Sequence, residues 1–506
     1  MAAAVATGLA VASVSALAVS PAVQGPESVA DWWRAGQQFI HDGKRLHKNP
    51  RKAKNVILFV GDGMGVSTIT AARILAGQLN GQPGEENRLS FEQFPYLALS
   101  KTYSWDQQTP DSAPTMTAMV TGYKARDGML SVNHTTARGE CNAAVVAANS
   151  LTTILEQAAA AGKSTGVVST ARITHATPAA NFAHTPVRDW EADANLPAGC
   201  GVKDIARQLI ELSPPVANSL RVVLGGGRDY FRKNTDADPE YPTKKGLRKD
   251  GRDLTAEWVS TRGTGARYVS DQAGFDAASP ASTKYLLGLF ERSHMQYEAD
   301  RATDTAGEPS LTEMTQKSIQ MLQRNPKGFY LHVESGRIDH AHHAGNAQRA
   351  LLDTIEFAEA IKTAYEMTDP QDTLIIVSAD HSHVFTIAGY PHRGNPILGL
   401  VKDVPEVDGD PTELSLDTLG LPYTTLGYAN GPGWRDAVAT GQERPDLTAV
   451  DTGALGYLQE AAVPLSSETH AGEDVAIFAS GPKAHLVHGS MEQNWIYHVM
   501  KEAFGF

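Results

Sequence analysis

Six short apolar runs, each ending in glycine or a polar residue, constrain this fold more than any other feature of the chain. Asn55–Val60 runs into Gly61 and Asp62, Ser164–Val168 into Ser169 and Thr170, and Arg221–Leu224 into three glycines. Gly328–Val333 runs into Glu334, Thr373–Val377 into Ser378-Ala379-Asp380, and Asp474–Phe478 into Ala479 and Ser480. Continuous β-rich runs of this kind suit strands buried on both faces. Helical periodicity separates them, at Ser67–Ala76, Thr115–Val120, Leu151–Ala161, Leu311–Gln323 and Ala347–Met367. The alternation predicts an α/β fold, a parallel-rich central sheet with helices on both faces. Asp62, Glu334 and Asp380 each follow a strand. Such sheets bind ligands beyond the carboxyl ends of their strands.

Two stretches interrupt the alternation. Residues 230–310 are polar and irregular, and 394–465 are rich in Gly, Pro, Leu and Thr. Both are longer than ordinary connections and read as an insertion and a small subdomain. The chain has 506 residues, 42% of them hydrophobic and 20% charged, which suits a globular protein with a large core. A net charge of −13 argues against a general nucleic-acid binder, which needs a basic surface. The Ala/Val-rich segment 1–26 resembles a secretory leader, with small-residue cleavage sites around Ala16-Leu17-Ala18, although no Lys or Arg precedes Arg34. No later run is long and apolar enough to span a bilayer, and no lipid-anchor signal ends the chain. The only two cysteines, Cys141 and Cys200, exclude a CxxC metal site; alone, they fit either a disulfide or two unrelated buried thiols.

The chemistry-bearing residues are scattered. Gly61-Asp62-Gly63-Met64-Gly65 lacks the full dinucleotide-loop spacing, so Asp62 is either a metal ligand or the cap of the following helix. Ser112, in Asp111-Ser112-Ala113-Pro114, opens a helical run. Either Asp111 or Ser112 is an N-cap, or Ser112 is a nucleophile at a helix N-terminus whose free N–H groups favour a phosphate. Asp339-His340-Ala341-His342-His343 places Asp339 and His343 one helical turn apart, able to grip one ion; a solvated face would use Lys and Glu instead. Asp380-His381-Ser382-His383 repeats the same ligand types. Carboxylate with imidazole suits zinc, and carboxylate with hydroxyl suits magnesium.

Taken together and in order, these segments resemble the alkaline phosphatases, in the branch shared by animal and some bacterial enzymes. The match includes Asn55–Thr68, Asp111-Ser112-Ala113, Arg172–Pro178, Gly336–His343, Ser378–His383 and Glu468–Asp474, and extends from about Trp32 to near the C-terminus. The resemblance implies hydrolysis of phosphate monoesters, with broad specificity and an alkaline optimum, through a phosphorylated Ser112. It implies one zinc at Asp339, His343 and His470, and a second at Asp62, Asp380 and His381 beside Ser112. It implies magnesium at Asp62, Thr177 and Glu334, with Thr177 standing where animal members carry Ser. Arg188 matches the phosphate-clamping arginine, and His175 and His340 the animal-type histidines near the substrate. The 230–310 stretch resembles a calcium-site region, with Glu240, Phe290 and Glu291 matching. Glu308 stands where the family usually shows Asp, after extra residues between 291 and 308. Residues 27–393 and 466–506 correspond to the catalytic domain, 27–45 to an N-terminal arm that reaches across a homodimer, and 394–465 to a crown subdomain. The resemblance pairs Cys141 with Cys200, and with the leader implies a periplasmic or secreted enzyme.

Related chemistries on the same metal scaffold compete with this reading. A sulfatase needs a modified nucleophile followed by an arginine, which Ser112-Ala113-Pro114-Thr115-Met116 lacks. A diesterase or mutase remains open, although Arg188 favours a monoester. A non-catalytic phosphate- or calcium-binding scaffold fits poorly with an intact Ser112 and a full ligand set.

Overall fold

The computed structural model describes residues 28–407, 409, 411, 413–434 and 444–506. The leader expected at 1–26 lies outside them. The chain divides into two units, Met1–Leu46 and His47–Phe506. The described part of the first is one helix, Val29–Arg45, closed by a capping box between Ser28 and Asp31. None of its residues is buried, and Trp32, Trp33, Phe39 and Ile40 are exposed.

The second unit contains fifteen described strands. They are β1 (Asn55–Gly61), β2 (Tyr96–Lys101), β3 (Ser164–Arg172), β4 (Leu220–Gly226), β5 (Ala266–Val269), β6 (Tyr285–Leu289), β7 (Phe329–Ser335) and β8 (Thr373–Ala379). Then follow β9 (Ser382–His383), β10 (Phe385–Ile387), β11 (Leu426–Gly431), β12 (Ala461–Pro464), β13 (His470–Ala471), β14 (Val475–Ser480) and β15 (Gly489–Glu492). Ten of them form one sheet in the order β15-β2-β14-β8-β1-β7-β3-β4-β6-β5. Every pairing in it is parallel except those of β14 with β2 and β8. All six expected strands are present. The sequence reading did not include β2, β5, β6 or β15, which lie at or near the sheet edges. Two of these, β5 and β6, come from within 230–310, so that stretch contributes to the main sheet.

Strand β1 explains the continuous apolar signature. Val56, Leu58 and Val60 enter one core cluster, while Ile57 and Phe59 enter the other, so both faces are covered. The helices Val66–Leu79, Leu311–Leu322 and Ala347–Met367 pack on the second face. Ser112–Thr121, Ile154–Ala160 and Trp495–Phe504 pack on the first. Phe59 meets Phe357 edge to face, ring centroids 5.8 Å apart; burying such a ring contributes about 2–3 kcal/mol.

The segment 394–465 carries no strand of the main sheet among its described residues. Its β11 lies between β10 and β12 in a separate three-stranded sheet. Strands β9 and β13 form a two-stranded ribbon that sets His470 opposite His383.

Candidate active site and metal centre

Sheet register gathers the first carboxylates. Val60 pairs with Glu334, and Gly61 with both Ser335 and Ala379, so Asp62 and Asp380 emerge side by side and Glu334 lies two positions before them, at the same end of three adjacent strands. Ser169 of β3 pairs with Glu334 from the other side. Glu334 lies inside β7 rather than after it. The loop after β1 needs its glycine: Gly63 has φ +70°, and a Cβ there would sit 2.3 Å from His383 Nε2.

Each of these carboxylates has one oxygen engaged and one bare. Asp380 Oδ1 accepts from the Gly63 and His381 amides at 3.0 Å each. Asp62 Oδ2 accepts from Thr177 Oγ1 at 3.5 Å. Glu334 Oε2 accepts from Ser169 Oγ. That leaves Asp380 Oδ2, Asp62 Oδ1 and Glu334 Oε1 buried without a hydrogen-bond partner. Burial, reinforced by Asp380, Asp339 and Glu334, pushes Asp62 well above the usual carboxylate range. Burial pushes Glu334 up to about 8 despite the Ser169 hydrogen bond, and raises Asp380 as well. Bare buried carboxylate oxygens are costly unless a cation neutralises them, and their donor chemistry fits one.

The second cluster lies beside it. The helix Arg337–His343 brings Asp339 and His343 onto one face, with His343 Nε2 at 3.3 Å from Asp339 Oδ1. His470 Nε2 lies 3.3 Å from the same oxygen. His383 bridges Asp339 Oδ1 at 2.8 Å and Glu468 Oε2 at 2.5 Å. Burial acts to raise the Asp339 pKa, but His343, His383 and His470 outweigh it and hold the carboxyl well below its usual range. The ring nitrogens are oriented by the backbone: His343 Nδ1 meets the Glu468 carbonyl at 2.6 Å, and His470 Nδ1 meets that of Pro110 at 2.8 Å. A carbonyl only accepts, so Nδ1 carries the proton and Nε2 presents its lone pair inward. His381 follows the pattern loosely, with Nδ1 at 3.4 Å from the Ser382 carbonyl. Its Nε2 lies 3.2 Å from Asp380 Oδ2 and 3.4 Å from Asp62 Oδ1.

Ser112 joins the clusters. Asp111 is the N-cap of the buried helix Ser112–Thr121, its carboxylate accepting from the Ala113 amide at 3.2 Å. Ser112 Oγ donates to His381 Nε2 at 3.1 Å. Arg188 binds Asp111 Oδ1 through Nη1 and meets His175 Nε2 at 2.8 Å through Nη2. The sequence-predicted residues of the zinc, magnesium and nucleophile sets thus converge. His175 and His340 stand beside them with rings 5.5 Å apart; burial drives both toward the neutral form, His340 down to about 3.

Sequence reasoning assigned no role to His383, Glu468 or His294. The first two sit in motifs rich in ligand types, which was a usable signal. His294, whose ring lies 4.0 Å from that of His340, carries no local signal. Sets that could hold an ion include Asp62–Asp380–His381, Asp62–His175–Glu334, Asp339–His381–His383–His470 and His175–His294–His340, each with donor atoms within 4.8 Å.

The calcium candidates are also buried together. Glu240 binds Arg228, and Phe290 is fully buried. Glu291 accepts from Tyr241 Oη at 2.7 Å. Burial pushes Glu308 up to about 9. Cys141 and Cys200 form a disulfide.

Residues 53–506 match the alkaline phosphatase family profile. The tissue-nonspecific alkaline phosphatase of Gallus gallus is 47% identical over 488 residues, covering 94% of this chain and 90% of its own length. The solved structure of Thermus thermophilus alkaline phosphatase shares 25% identity at a TM-score of 0.63, covering 90% of this chain and 92% of that one. A variant of TAB5 alkaline phosphatase with Mg bound in its M3 site shares the fold at 22% identity, with a TM-score of 0.58 and coverage of 90% and 99%. Converging carboxylates, imidazoles and a helix-terminal serine on this fold, with these likenesses over nearly the whole chain, make it a member of the alkaline phosphatase family, a metal-dependent hydrolase of phosphate monoesters.

Proposed function

We propose that Ser112 is the nucleophile of a two-step hydrolysis with broad monoester specificity and an alkaline optimum. The observation that carries this is the hydrogen bond of Ser112 Oγ to His381 Nε2 at the start of a buried helix. Asp339, His343 and His470 would hold one zinc, Asp62, Asp380 and His381 the other with Ser112 beside them, and Asp62, Thr177 and Glu334 a magnesium. Bound there, the cations supply the positive charge that stabilises the attacking and leaving oxygens of an in-line displacement. The residues themselves supply position. The helix N-terminus offers free N–H groups to the phosphoryl oxygens. Arg188, held by Asp111, presents a planar fork to two of those oxygens; a monoester has three non-bridging oxygens, so one is left for the cations, whereas a diester has only two and less charge. The neutral imidazoles of His175 and His340 border the same space. Attack by Ser112 forms a phosphoserine and releases the alcohol; water then releases phosphate and restores the hydroxyl.

The likeness to family members further supports a homodimer with Val29–Arg45 as its arm, a periplasmic or secreted location, a crown over 394–465, and calcium held near Glu240, Phe290, Glu291 and Glu308. Zinc- and magnesium-loaded protein should hydrolyse a phosphate monoester much faster than a diester or a sulfate ester, and label at Ser112. A faster diester reaction, or label elsewhere, would overturn the proposal.

A further inference from the structure

We propose that Asp304 is a calcium ligand in this chain, beside Glu240, Glu291 and Glu308. The inference rests on the calcium reading above and concerns which residues hold the ion. The Phe290 carbonyl already accepts from Arg228 Nη1 at 2.9 Å. The same guanidinium donates to Glu240 Oε2 at 3.0 Å and grips Asp238 with two bonds of 2.7 and 2.9 Å. The Glu291 oxygens accept from Tyr241 Oη, from Gln296 Nε2 at 2.9 Å and from the Arg292 amide at 2.9 Å. Glu308 Oε1 accepts from the Gln296 amide at 2.8 Å.

Bare oxygens remain on Glu308 and on Asp304, a residue outside that set. Both carboxylate oxygens of Asp304 and Glu308 Oε2 are buried with no hydrogen-bond partner, and Glu308 is only 2% exposed. Glu240, which neighbours Asp304, has at Oε1 a long contact of 3.4 Å from the Ala306 amide. That contact ties Glu240 to the loop carrying Asp304, and Gly307 at φ +75° turns the chain from Asp304 to Glu308. Asp304 feels Glu240 and Glu291 as neighbouring charges, and Glu308 feels Asp304 and Glu291. The nearby cations are spent: Arg228 on Asp238 and Glu240, Arg292 on Asp229, and Arg301 on Glu298. Carboxylate oxygens without a nitrogen or sulfur donor are a hard-cation set, and up to two oxygens from each of several carboxylates suits the high coordination number of calcium. Asp304 lies among the extra residues between Glu291 and Glu308, so the insertion itself would bring the ligand.

Equilibrium dialysis with radiolabelled calcium, on full-length protein saturated with zinc and magnesium, tests this. Wild type should bind calcium. Asp304→Asn should bind it roughly tenfold more weakly or worse, because charge count sets affinity at such sites, and should keep its zinc. Wild type that binds no calcium would overturn the calcium reading itself. Wild-type affinity in Asp304→Asn would overturn only the role of Asp304. A readout free of variants is carbodiimide coupling of the wild-type protein, followed by peptide mass. Calcium should protect Asp304, and coupling that is the same with and without calcium would count against the proposal.

Discussion

His343 and His470 face each other with their Nε2 atoms 3.1 Å apart, and each ring is turned that way by a backbone carbonyl on its Nδ1. Two lone pairs so close repel unless a cation lies between them and Asp339. Chelation should therefore abolish activity, and zinc with magnesium should restore it. His470→Ala should lose one zinc per chain by metal analysis, whereas full zinc content in that variant would break the assignment.

Ser112→Ala should lower kcat by roughly a thousandfold or more, because it removes the nucleophile. The helix should persist, since its cap is Asp111. Circular dichroism checks the fold, and acid-quenched labelling checks for the missing phosphoenzyme.

Arg188→Ala removes charge-assisted hydrogen bonds contributing about 1.5–3 kcal/mol each. The expected result is a drop in monoester kcat/KM of roughly tenfold to several hundredfold, weaker inhibition by phosphate, and unchanged metal content. Steady-state kinetics with a monoester and a diester measure it, and the preference between the two should shrink.

Breaking the Cys141–Cys200 disulfide opens a loop spanning 59 positions. In the chain-entropy model this costs about 4 kcal/mol. Denaturant unfolding of a Cys141→Ala, Cys200→Ala double variant should show a loss of that order, while active-site metal content stays intact.

His184 and Glu156 form a partly buried pair at 3.1 Å. Burial lowers the His184 pKa, but Glu156 and the Ser131 carbonyl outweigh it, so the net shift is upward. Burial raises Glu156, but His184 and the Thr153 contacts bring it below its usual value. The His184 contribution is present below its unfolded pKa of about 6.5 and fades as pH rises through the folded value. The Glu156 contribution is present above about 4.5 and fades as pH falls. The pair thus stabilises most near pH 5–6, by about 1 kcal/mol. In unfolding measured between pH 5 and pH 9, His184→Gln should flatten that part of the pH dependence.

Local sequence carries the elements that are buried on both faces or are strongly periodic. Strand β1 is apolar at every core position because both faces of the sheet are covered, and Ala347–Met367 shows its helix at its observed bounds. Asp339 and His343 were readable as one turn of one helix, because 3.6 residues per turn is a local property. Strand β2, with alternate residues exposed, and the edge strand β5, only half-buried, lacked such a signal, since one of their faces is left uncovered.

Strand ends grouped Asp62, Glu334 and Asp380, and one helical turn grouped Asp339 with His343, but the full ligand sets were legible only through the family pattern, and their atomic geometry not at all. His470 reaches Asp339 because β13 pairs with β9, a contact between distant segments that no local preference encodes. The partition of each carboxylate into an engaged and a bare oxygen depends on amides and hydroxyls from other strands, such as Gly63 on Asp380 and Ser169 on Glu334. Burial of these groups, and so the cost of leaving them without a cation, exists only once the sheet has closed around them. Sequence by itself determined the residue types, the strand ends and the helical turn; tertiary structure decided which oxygen and nitrogen atoms face one another, because hydrogen-bond partners and burial belong to the packed chain and not to its segments.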